Sequence, residues 1–599
     1  MKTSFLILTA SVLLLWTPAS GLRAEVIPLL GNIPGRHTVS LNGEWNYIVD
    51  VQEKGYYDYR MKPTPWGFFL NQKPQSPKDL IEYDFDKSDR MVIPSDWNTR
   101  DPRLFFYEGT VWFKRDFTCH PVEGRRTLLY FGAVNYEAHV WVNGKKAGHH
   151  VGGFTPFNLD ITDLVVDGEN FVVVKADNKR HPEDVPTQIF DWWNYGGITR
   201  DVLLVDVAPV YVENYSLQLD RTDFGLLHFS VKLNVPAAGK KVRLTIPELG
   251  VDKTVVTGAD GTARMDLKAR PELWSPANPK LYAVAVGLDG DTVTDQIGFR
   301  SITTRGKQIL LNGEPIFLKG ISIHDEKAFG GGRANSTEDA VIRLAWAREL
   351  GCNFVRLAHY PHNEYMIREA EREGILVWSE IPVYWTIAWT NPETYRNAQD
   401  QLRDMIERDI NRANVIIWSI ANETPQSDER DSFLGSLATY ARSRDDTRLI
   451  SMAMEVTSAS NYHNRLNDNM HAFVDVVSFN QYIGWYRDVD DAPKMTWEIP
   501  YDKPVIVSEF GGGARAGLHG NKGQRWTEEF QENLYLLNTA MLDKVEGLAG
   551  TTPWILKDFR SPRRVLPEIQ DYYNRKGLVS DDGQKKKAFM VLKAWYEKK

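Results

Sequence analysis

The sequence predicts a multidomain fold in which two antiparallel β domains precede a (β/α)8 barrel. In roughly the first 300 residues, short runs alternate polar and apolar side chains and are separated by turn residues. Near residue 305 the pattern changes, and apolar strand-like runs then alternate with segments of helical period. The length of 599 residues fits this arrangement, because one α/β barrel can take about 250 residues by itself.

Charge and composition narrow the class of protein. The chain has 71 Lys and Arg against 79 Asp and Glu, a net charge of −8, and 42% hydrophobic residues. Its only short basic run, Lys585 to Lys587, is typical of a solvated helix face. A basic stripe is the usual mark of phosphate binding, so we expect a folded globular protein without a nucleic-acid partner.

The first 24 residues resemble a secretory signal peptide. Lys2 precedes an apolar run from Phe5 to Trp16, followed by small residues that offer cleavage points between Ser20 and Glu25. The run is too short to span a membrane, which takes about 20 residues, and no later segment qualifies. The sequence therefore predicts an exported protein, periplasmic or extracellular, without a membrane span.

Residues 25–208 are expected to form the first β domain. Apolar and polar residues alternate with period two in four clear runs, and Asn143-Gly144 is a strong hairpin signal. The four runs are 111–117, 127–131, 138–142 and 171–176.

Residues 209–304 repeat the alternation on a smaller scale. About 100 residues of short strands, among them 227–235, 241–246 and 281–286, fit an immunoglobulin-like β-sandwich.

Residues 305–599 are expected to form the barrel. Helical segments lie near 338–350, 364–373, 392–411, 526–542 and 584–597, and the fifth and sixth repeats are the least distinct. The eight predicted strands are 316–320, 353–357, 375–379, 415–421, 449–453, 474–479, 504–508 and 548–553.

Cysteine and metal-site patterns are sparse. Cys119 and Cys352 are the only cysteines and lie in different predicted domains, which favours two buried thiols over a disulfide. The chain has no His-Glu-x-x-His motif, no paired cysteines and no Gly-x-Ser-x-Gly elbow. We expect neither a metal nor a cofactor.

Two acidic residues follow predicted barrel strands. The fourth strand ends in Asn422-Glu423 and the seventh in Glu509-Phe510. The reactive groups of such barrels lie where the strands end, at the carboxyl face. A single acid there more often caps a loop or pairs with Arg, but two facing acids are what glycoside hydrolysis requires.

These residues and their surroundings resemble glycoside hydrolase family 2 along nearly the whole chain. The resemblance rests on Leu273-Trp-Ser-Pro-Ala-Asn-Pro-Lys-Leu-Tyr282, on Lys319-Gly320 through His324, on Arg356-Leu-Ala-His-Tyr-Pro361 and on the two strand-end acids. It implies that the first domain is a jelly roll, that Glu423 is the general acid/base, and that Glu509 is the nucleophile of a retaining double displacement. The family's usual Asn-Glu-Pro is replaced here by Asn422-Glu423-Thr424-Pro425, a departure that follows the acid.

This resemblance carries physical expectations. A retaining pair holds its carboxyl groups about 5 to 5.5 Å apart. Glu423 should have a raised pKa so that it donates a proton, and hydrogen bonds should hold Glu509 ionised.

The same resemblance implies further substrate-binding residues. Asn422 looks like the residue that bonds the sugar 2-hydroxyl, and Tyr482 like the tyrosine that contacts the nucleophile. Trp554 is either a sugar platform or core, and Asp160 either enters the barrel mouth from the first domain or caps a loop. The full set is Asp160, His324, His359, Asn422, Asn480, Tyr482, Tyr486, Trp554, Asn574 and Lys576.

Asn574 and Lys576 match the Asn-x-Lys pattern of the family's β-glucuronidases. A uronic acid carries a carboxylate, which a fixed ammonium and an amide N–H can bind. Those enzymes often also have an arginine four residues before the Asn, where this chain has Gln570; whether Arg560, Arg563 or Arg564 serves instead is left open.

The sequence thus predicts a retaining exo-acting β-glucuronidase for glucuronide conjugates or uronic-acid-containing oligosaccharides. A β-galacturonidase, a neutral-sugar β-galactosidase or β-mannosidase of the same family, and a non-catalytic carbohydrate-binding protein are the alternatives. Homo-oligomers are common in the family, and the oligomeric state is left open.

Overall fold

A computed structural model describes residues 27–64 and 74–599 of the chain. Two domains of antiparallel sheets precede a closed barrel of eight parallel strands, so the predicted fold class is confirmed. The predicted signal peptide, residues 1–24, lies outside the described residues.

The first domain packs a four-stranded sheet against a six-stranded sheet around an apolar core. The predicted hairpin is present, because Asn143 (φ 49°) and Gly144 (φ 78°) both adopt the left-handed conformation of a two-residue turn. A helix spans Trp97–Arg100, with 3-10 turns at Ile33–Gly35, Phe85–Lys87 and Pro102–Leu104. In spatial order the four-stranded sheet is Thr38–Ser40, Val202–Val207, Arg126–Phe131, Phe157–Asp160, and the six-stranded sheet is Arg90–Ile93, Gly43–Asp50, Thr110–Cys119, Gly168–Asp177, Glu137–Val142, Lys145–Val151; Val134–Asn135 pairs with Gly197–Ile198.

The second domain is a sandwich of a three-stranded and a four-stranded sheet. Alternate residues of each strand point into its core, as period-two patterning predicts. Its strands are Val212–Leu219, Leu226–Leu233, Thr262–Lys268 in one sheet and Val251–Val256, Lys241–Ile246, Tyr282–Leu288, Asp291–Ile297 in the other, with a 3-10 turn at Pro247–Leu249.

The third domain is the barrel, whose neighbouring strands are all parallel. Barrel strands 1 to 8 are Leu318–Ile323, Phe354–Leu357, Leu376–Glu380, Val415–Asn422, Leu449–Met454, Val477–Asn480, Val505–Glu509 and Leu548–Thr551. Its helices are Thr337–Glu349, Glu364–Arg372, Pro392–Asp409, Asp428–Arg444, Glu528–Leu542 and Lys587–Tyr596. Smaller elements are the strands Ile302–Arg305, Gln308–Leu311, Glu314–Pro315, Val456–Ser460, His463–Leu466, Thr496–Glu498, Phe559–Arg560 and Tyr573–Asn574, and the 3-10 helices Asn469–Ala472 and Val489–Lys494.

One connection of the barrel differs from the prediction, and the fifth and sixth repeats are irregular, as their weak pattern indicated. Helix Asp428–Arg444 joins barrel strands 4 and 5, where no helix was predicted. Strands 5 and 6 are joined by the hairpin Val456–Ser460 and His463–Leu466 instead of a helix, which explains the weak sequence pattern of these repeats.

Both β domains are held against the barrel by buried arginines. Arg200 of the first domain donates to Asp325 Oδ2 (3.2 Å) and to the carbonyl of Pro361 (2.7 Å), which follow barrel strands 1 and 2. Arg300 donates to the carbonyls of Ala413 (3.0 Å) and Val415 (2.7 Å), at the start of barrel strand 4. The first domain therefore docks on the carboxyl face of the barrel, where its residues can join a site.

Both cysteines are free. Cys352 is buried and burial raises its thiol pKa, whereas Cys119 is only partly buried. Within the described ranges, no helix combines the length and apolar character needed to cross a membrane.

Candidate active site

Glu423 and Glu509 stand at the carboxyl ends of barrel strands 4 and 7. Glu509 is the last residue of its strand and is 4% exposed. Glu423 directly follows its strand and is more open to solvent. Asn480 joins the two strand ends: it pairs in register with Glu509, and its amide donates to Glu423 Oε1 (2.9 Å).

Two hydrogen-bond donors and one nearby imidazole surround the Glu509 carboxylate. Arg356 Nη1 donates to Oε1 (2.7 Å) and the Tyr482 hydroxyl donates to Oε2 (2.5 Å), while His359 Nε2 lies 3.7 Å from Oε1. Burial is nevertheless the largest influence and raises the pKa of Glu509, with Glu423 adding to the rise. Arg356, His359 and Tyr482 oppose this rise in the pKa of Glu509 without cancelling it, so the expectation that hydrogen bonds hold Glu509 ionised stays a prediction.

Glu423 is held by two N–H groups and by an unusual backbone. Besides the amide of Asn480, the indole Nε1 of Trp385 donates to Glu423 Oε2 (3.0 Å). Glu423 (φ 51°) and Trp385 (φ 55°) both occupy the left-handed region, which costs free energy for residues other than glycine. Because two strained residues hydrogen-bond each other here, the fold fixes the direction of this carboxyl group.

Arg356, in barrel strand 2, links Glu509 to Asn422 and Glu380. Its fully buried guanidinium contacts Glu509, Asn422 Oδ1 (2.7 Å) and both oxygens of Glu380 (3.1 Å each). Glu380 ends barrel strand 3 and also accepts from the indole of Trp378 (2.9 Å).

Glu380 is a third strand-end acid that the sequence analysis passed over. Arg356 and His359 hold the pKa of Glu380 at about 2, so this carboxylate stays ionised against burial. An acid locked in a bidentate pair is poorly suited to transfer protons, and Glu380 instead orients Arg356 and His359. The rule that found Glu423 and Glu509 would also have found Glu380.

Three buried polar atoms at the mouth have no partner among the described residues; one is the indole Nε1 of Trp192, which is 2% exposed. The other two are Nδ2 of Asn422 (2% exposed) and Nε2 of His324 (5% exposed). A buried donor left unpaired costs free energy, so these atoms are suited to a polar ligand.

His359 and Trp554 form the floor of this region. The indole of Trp554 stacks on the imidazole of His359 (4.8 Å between ring centres) and is 4% exposed. Trp554 is therefore a buried residue that packs against His359.

Lys576 places a positive charge at the mouth without a carboxylate partner. Within the described part of the chain, no acidic oxygen lies at ion-pairing distance from its ammonium, which faces the rings of Tyr482, Trp485 and Tyr486 (5.1 to 5.7 Å). Burial, and then the charge of Arg564, lowers the pKa of Lys576 to about 8. Tyr486, 69% exposed, lies at the rim of this pocket.

Asn574 lies beside Lys576, and the amide N–H of Lys576 donates to Asn574 Oδ1 (3.2 Å). The Asn574 side chain donates in turn to Asp191 Oδ2 (3.3 Å). The backbone of Lys576 is thereby tied to Asn574, and the predicted joint binding of one carboxylate by the Lys576 ammonium and the Asn574 amide stays a prediction.

The prediction for Asp160 is wrong, and Asp191 is an acid of the first domain that contacts the segment carrying Asn574. Asp160 accepts from Arg126 (2.9 Å) and from Thr162, so it caps a turn within its own domain. Asp191 instead bonds Ser561, Arg564 and Asn574 of the segment between barrel strand 8 and the last helix.

Arg564 is the arginine that lies beside Lys576. No sequence signal distinguished Asp191 or Arg564, because their pairing depends on docking of two domains. Trp192, next to Asp191, also enters the mouth, with its ring 5.8 Å from that of His359.

The described residues hold one further cluster with the ligand atoms of a metal site. His139 and His149 of the first domain both hydrogen-bond Glu137 Oε1 (2.9 and 2.7 Å), and burial lowers the pKa of His139 to about 4. This cluster lies on the six-stranded sheet and shares no residue with the barrel mouth, so the expectation of no metal or cofactor stays a prediction.

The barrel mouth therefore combines groups with distinct chemical capacities. Glu423 and Glu509 can transfer a proton and attack an electrophilic carbon, Asn422 can bond a hydroxyl, and Lys576 with Asn574 can bind an anion. One hydrogen-bonded network joins the two acids through Asn480, Asn422 and Arg356. The expected separation of about 5 to 5.5 Å between the two carboxyl groups stays a prediction.

Comparison with protein-family models gives three consecutive matches to one family. The matches are "Glycosyl hydrolases family 2, sugar binding domain" (residues 39–208), "Glycosyl hydrolases family 2" (210–300) and "Glycosyl hydrolases family 2, TIM barrel domain" (302–599).

Curated proteins and solved structures resemble the chain over most of its length. A Beta-glucuronidase of Paenibacillus borealis is 29% identical, with 94% of this chain and 97% of the relative covered. The Homo sapiens Beta-glucuronidase is 26% identical over 98% of this chain and 94% of its own. Among solved structures, an uncultured Clostridium sp. Beta-glucuronidase superposes with a TM-score of 0.79 at 26% identity, covering 96% of this chain and 100% of the other.

Proposed function

The chain belongs to glycoside hydrolase family 2 and is a glycoside hydrolase, and from this premise we propose that it is a retaining, exo-acting β-glucuronidase. The observation that carries the sugar class is the ammonium of Lys576, buried beside Asn574 without an acidic partner in the described chain. The 6-carboxylate of a terminal glucuronic acid supplies the missing negative charge. Relatives named as β-glucuronidases support this proposal.

In the first half of the proposed reaction, Glu509 attacks the anomeric carbon. A bond forms between a Glu509 oxygen and C1 while the bond from C1 to the leaving-group oxygen breaks. Glu423 gives its proton to that departing oxygen and becomes a carboxylate. The products are a covalent glycosyl-enzyme ester and the free aglycone.

The second half reverses these roles with water. Glu423, now a base, takes a proton from water, whose oxygen bonds to C1 as the Glu509 ester bond breaks. Glucuronic acid leaves with the β configuration it had in the substrate, and both side chains return to their starting states.

The neighbouring residues are assigned supporting roles. Arg356 and Tyr482 each hydrogen-bond one carboxylate oxygen of Glu509, so the carboxylate is held with one oxygen facing C1. Asn480 and Trp385 do the same for Glu423. The unpaired amide nitrogen of Asn422 is free to donate to the 2-hydroxyl, a bond that strengthens in the transition state.

A matched set of aryl glycosides tests the proposal. We expect the enzyme to hydrolyse the aryl β-glucuronide and to release β-glucuronic acid first. Proton NMR identifies the anomer of the released sugar before mutarotation. An α product, or a preference for the aryl β-galactoside or β-mannoside, would contradict it.

The set includes the aryl β-galacturonide for a physical reason. Galacturonic and glucuronic acids differ only in the direction of the 4-hydroxyl, whereas Lys576 and Asn574 are assigned to the carboxylate that both sugars carry. Faster hydrolysis of the galacturonide would therefore overturn the choice of glucuronic acid. It would leave the assignment of Lys576 and Asn574 to the sugar carboxylate unchanged.

We also propose that the protein is exported, on the strength of the apolar segment from Phe5 to Trp16. The expected result is a mature chain that begins between residues 21 and 25, read by N-terminal sequencing of protein from the native host. A chain that begins at Met1 inside the cell would contradict export.

A further inference from the structure

Resting on this proposed function, we infer that Arg563 and Trp385 form a binding site for an anionic leaving group. The site would take a carboxylate or sulfate carried by the sugar or ring attached to the glucuronide. It would make acidic oligosaccharides better substrates than neutral conjugates.

The position of Trp385 defines this side of the mouth. Its indole N–H donates to Glu423 Oε2 (3.0 Å), and Glu423 is the group assigned to protonate the leaving-group oxygen. The indole therefore borders the place where the leaving group is attached. Trp385 is only partly buried, so part of its ring remains accessible.

Arg563 covers that indole with a positive charge. Its guanidinium carbon lies 4.9 Å from the centre of the Trp385 ring, a distance at which a cation is attracted to the ring face. Arg563 is solvent-exposed and has no acidic partner within the described ranges. The neighbouring Arg564 differs, because its charge is met by Asp191.

The backbone around Arg563 is fixed from the first domain. Its amide N–H donates to Ser561 Oγ (3.3 Å), and the Ser561 hydroxyl donates to Asp191 (2.6 Å). The charge therefore projects from an anchored turn.

The chemistry of this pair selects its ligand. A guanidinium is planar, permanently charged and weakly hydrated, and its N–H edges match the paired oxygens of a carboxylate or sulfate. The part of the Trp385 ring that Arg563 leaves exposed suits a flat sugar or aryl ring. A neutral leaving group would use the ring face alone.

Paired substrates separate the charge from the ring. Three aryl β-glucuronides carry a sulfonate, a carboxylate or an uncharged carboxamide at the same ring position. For each, kcat/KM reports steps up to departure of the leaving group.

We expect Arg563→Gln to lower the kcat/KM ratio of anionic to carboxamide substrate by about tenfold. Arg563→Lys should retain part of the ratio, and 0.5 M salt should reduce the wild-type ratio. Arg270→Gln removes the same charge from the exposed sandwich surface and should leave the ratio unchanged.

If Arg563→Gln loses more kcat/KM for the sulfonate or the carboxylate substrate than for the carboxamide, the site is supported. The substrate with the larger loss identifies the preferred anion. Equal losses for all three substrates would mean that Arg563 only steadies Trp385, and the inference would be overturned. Failure of wild-type enzyme on every glucuronide is a different outcome, because it refutes the proposed function itself.

Discussion

The buried carboxylate of Glu509 and the buried ammonium of Lys576 place opposite charges in one barrel mouth without pairing them. Glu509 is satisfied by Arg356 and Tyr482, whereas Lys576 faces aromatic rings. Two charges of opposite sign that remain apart are suited to different atoms of one ligand.

Replacing each acid should change the chemistry in a different way. Glu509→Gln should lower turnover by at least about a thousandfold, because the amide is a poor nucleophile, and more than a tenth of wild-type activity would refute the assignment.

Added azide should restore activity to both alanine variants and give different products. Glu423→Ala should form the β-glycosyl azide and Glu509→Ala the α-glycosyl azide, which NMR distinguishes. The opposite pattern would exchange the two roles.

Removing the charge of Lys576 should weaken only uronate recognition. Lys576→Ala is expected to lower kcat/KM for an aryl β-glucuronide by about a hundredfold, or about 2 to 3 kcal/mol. Hydrolysis of the matching aryl β-glucoside serves as the control and should change far less. An unchanged glucuronide value would refute the uronate site without touching the hydrolase assignment.

The lowered pKa of Lys576 predicts a pH dependence of binding. The ammonium is charged below about pH 8 and loses its proton as the pH rises through that value, so anion affinity falls on the alkaline side. The inhibition constant of D-glucuronate should rise above pH 8 in the wild type. Lys576→Arg, charged at every accessible pH, should bind without that alkaline break.

At the scale of elements, the strand ends were predictable and the loops were not. Apolar runs that end in an acid placed Glu423 and Glu509 at the right face, because a parallel strand delivers its last residue to the barrel mouth. Helix Asp428–Arg444 was missed although Ser427 caps it and Phe433, Leu434, Leu437 and Ala438 follow helical spacing.

The segment from Phe559 to Asn574 is a different case. Its position depends on Asp191, which lies hundreds of residues away in the first domain. Local periodicity carries no information about pairing over such a distance. The local motif around Asp160 therefore predicts the wrong aspartate at the barrel mouth.

Comparing these two aspartates tests the corrected assignment. Asp191→Asn should raise KM for the glucuronide by about tenfold or more, because Arg564 loses its charged partner while Ser561 keeps a hydrogen-bond acceptor. Asp160→Asn should change KM by less than about twofold. Equal effects in both variants would contradict the placement.

At the scale of the whole molecule, domain docking completes the site. Arg200 crosses from the first domain to Asp325 and Pro361, and Asp191 crosses to the segment that carries Lys576. The barrel alone therefore lacks part of its own mouth, and activity should depend on the joined domains.

Loss of the docking arginine should lower stability and activity together. Arg200→Met leaves Asp325 buried with a weaker set of partners, which we expect to cost about 3 kcal/mol and to lower the urea midpoint. Tryptophan fluorescence and residual activity should fall in the same transition. Arg125→Met, which breaks a half-exposed pair in the same domain, should cost about 1 kcal/mol or less.

The unpaired ammonium of Lys576 also has a consequence for the solution around the protein. A pocket shaped for one carboxylate attracts others, so citrate and acetate would occupy it in competition with sugar. In a habitat rich in organic acids, the enzyme would work more slowly at the same sugar concentration. Its rate of hydrolysis would then depend on the concentration of these organic acids as well as on the concentration of glycosides.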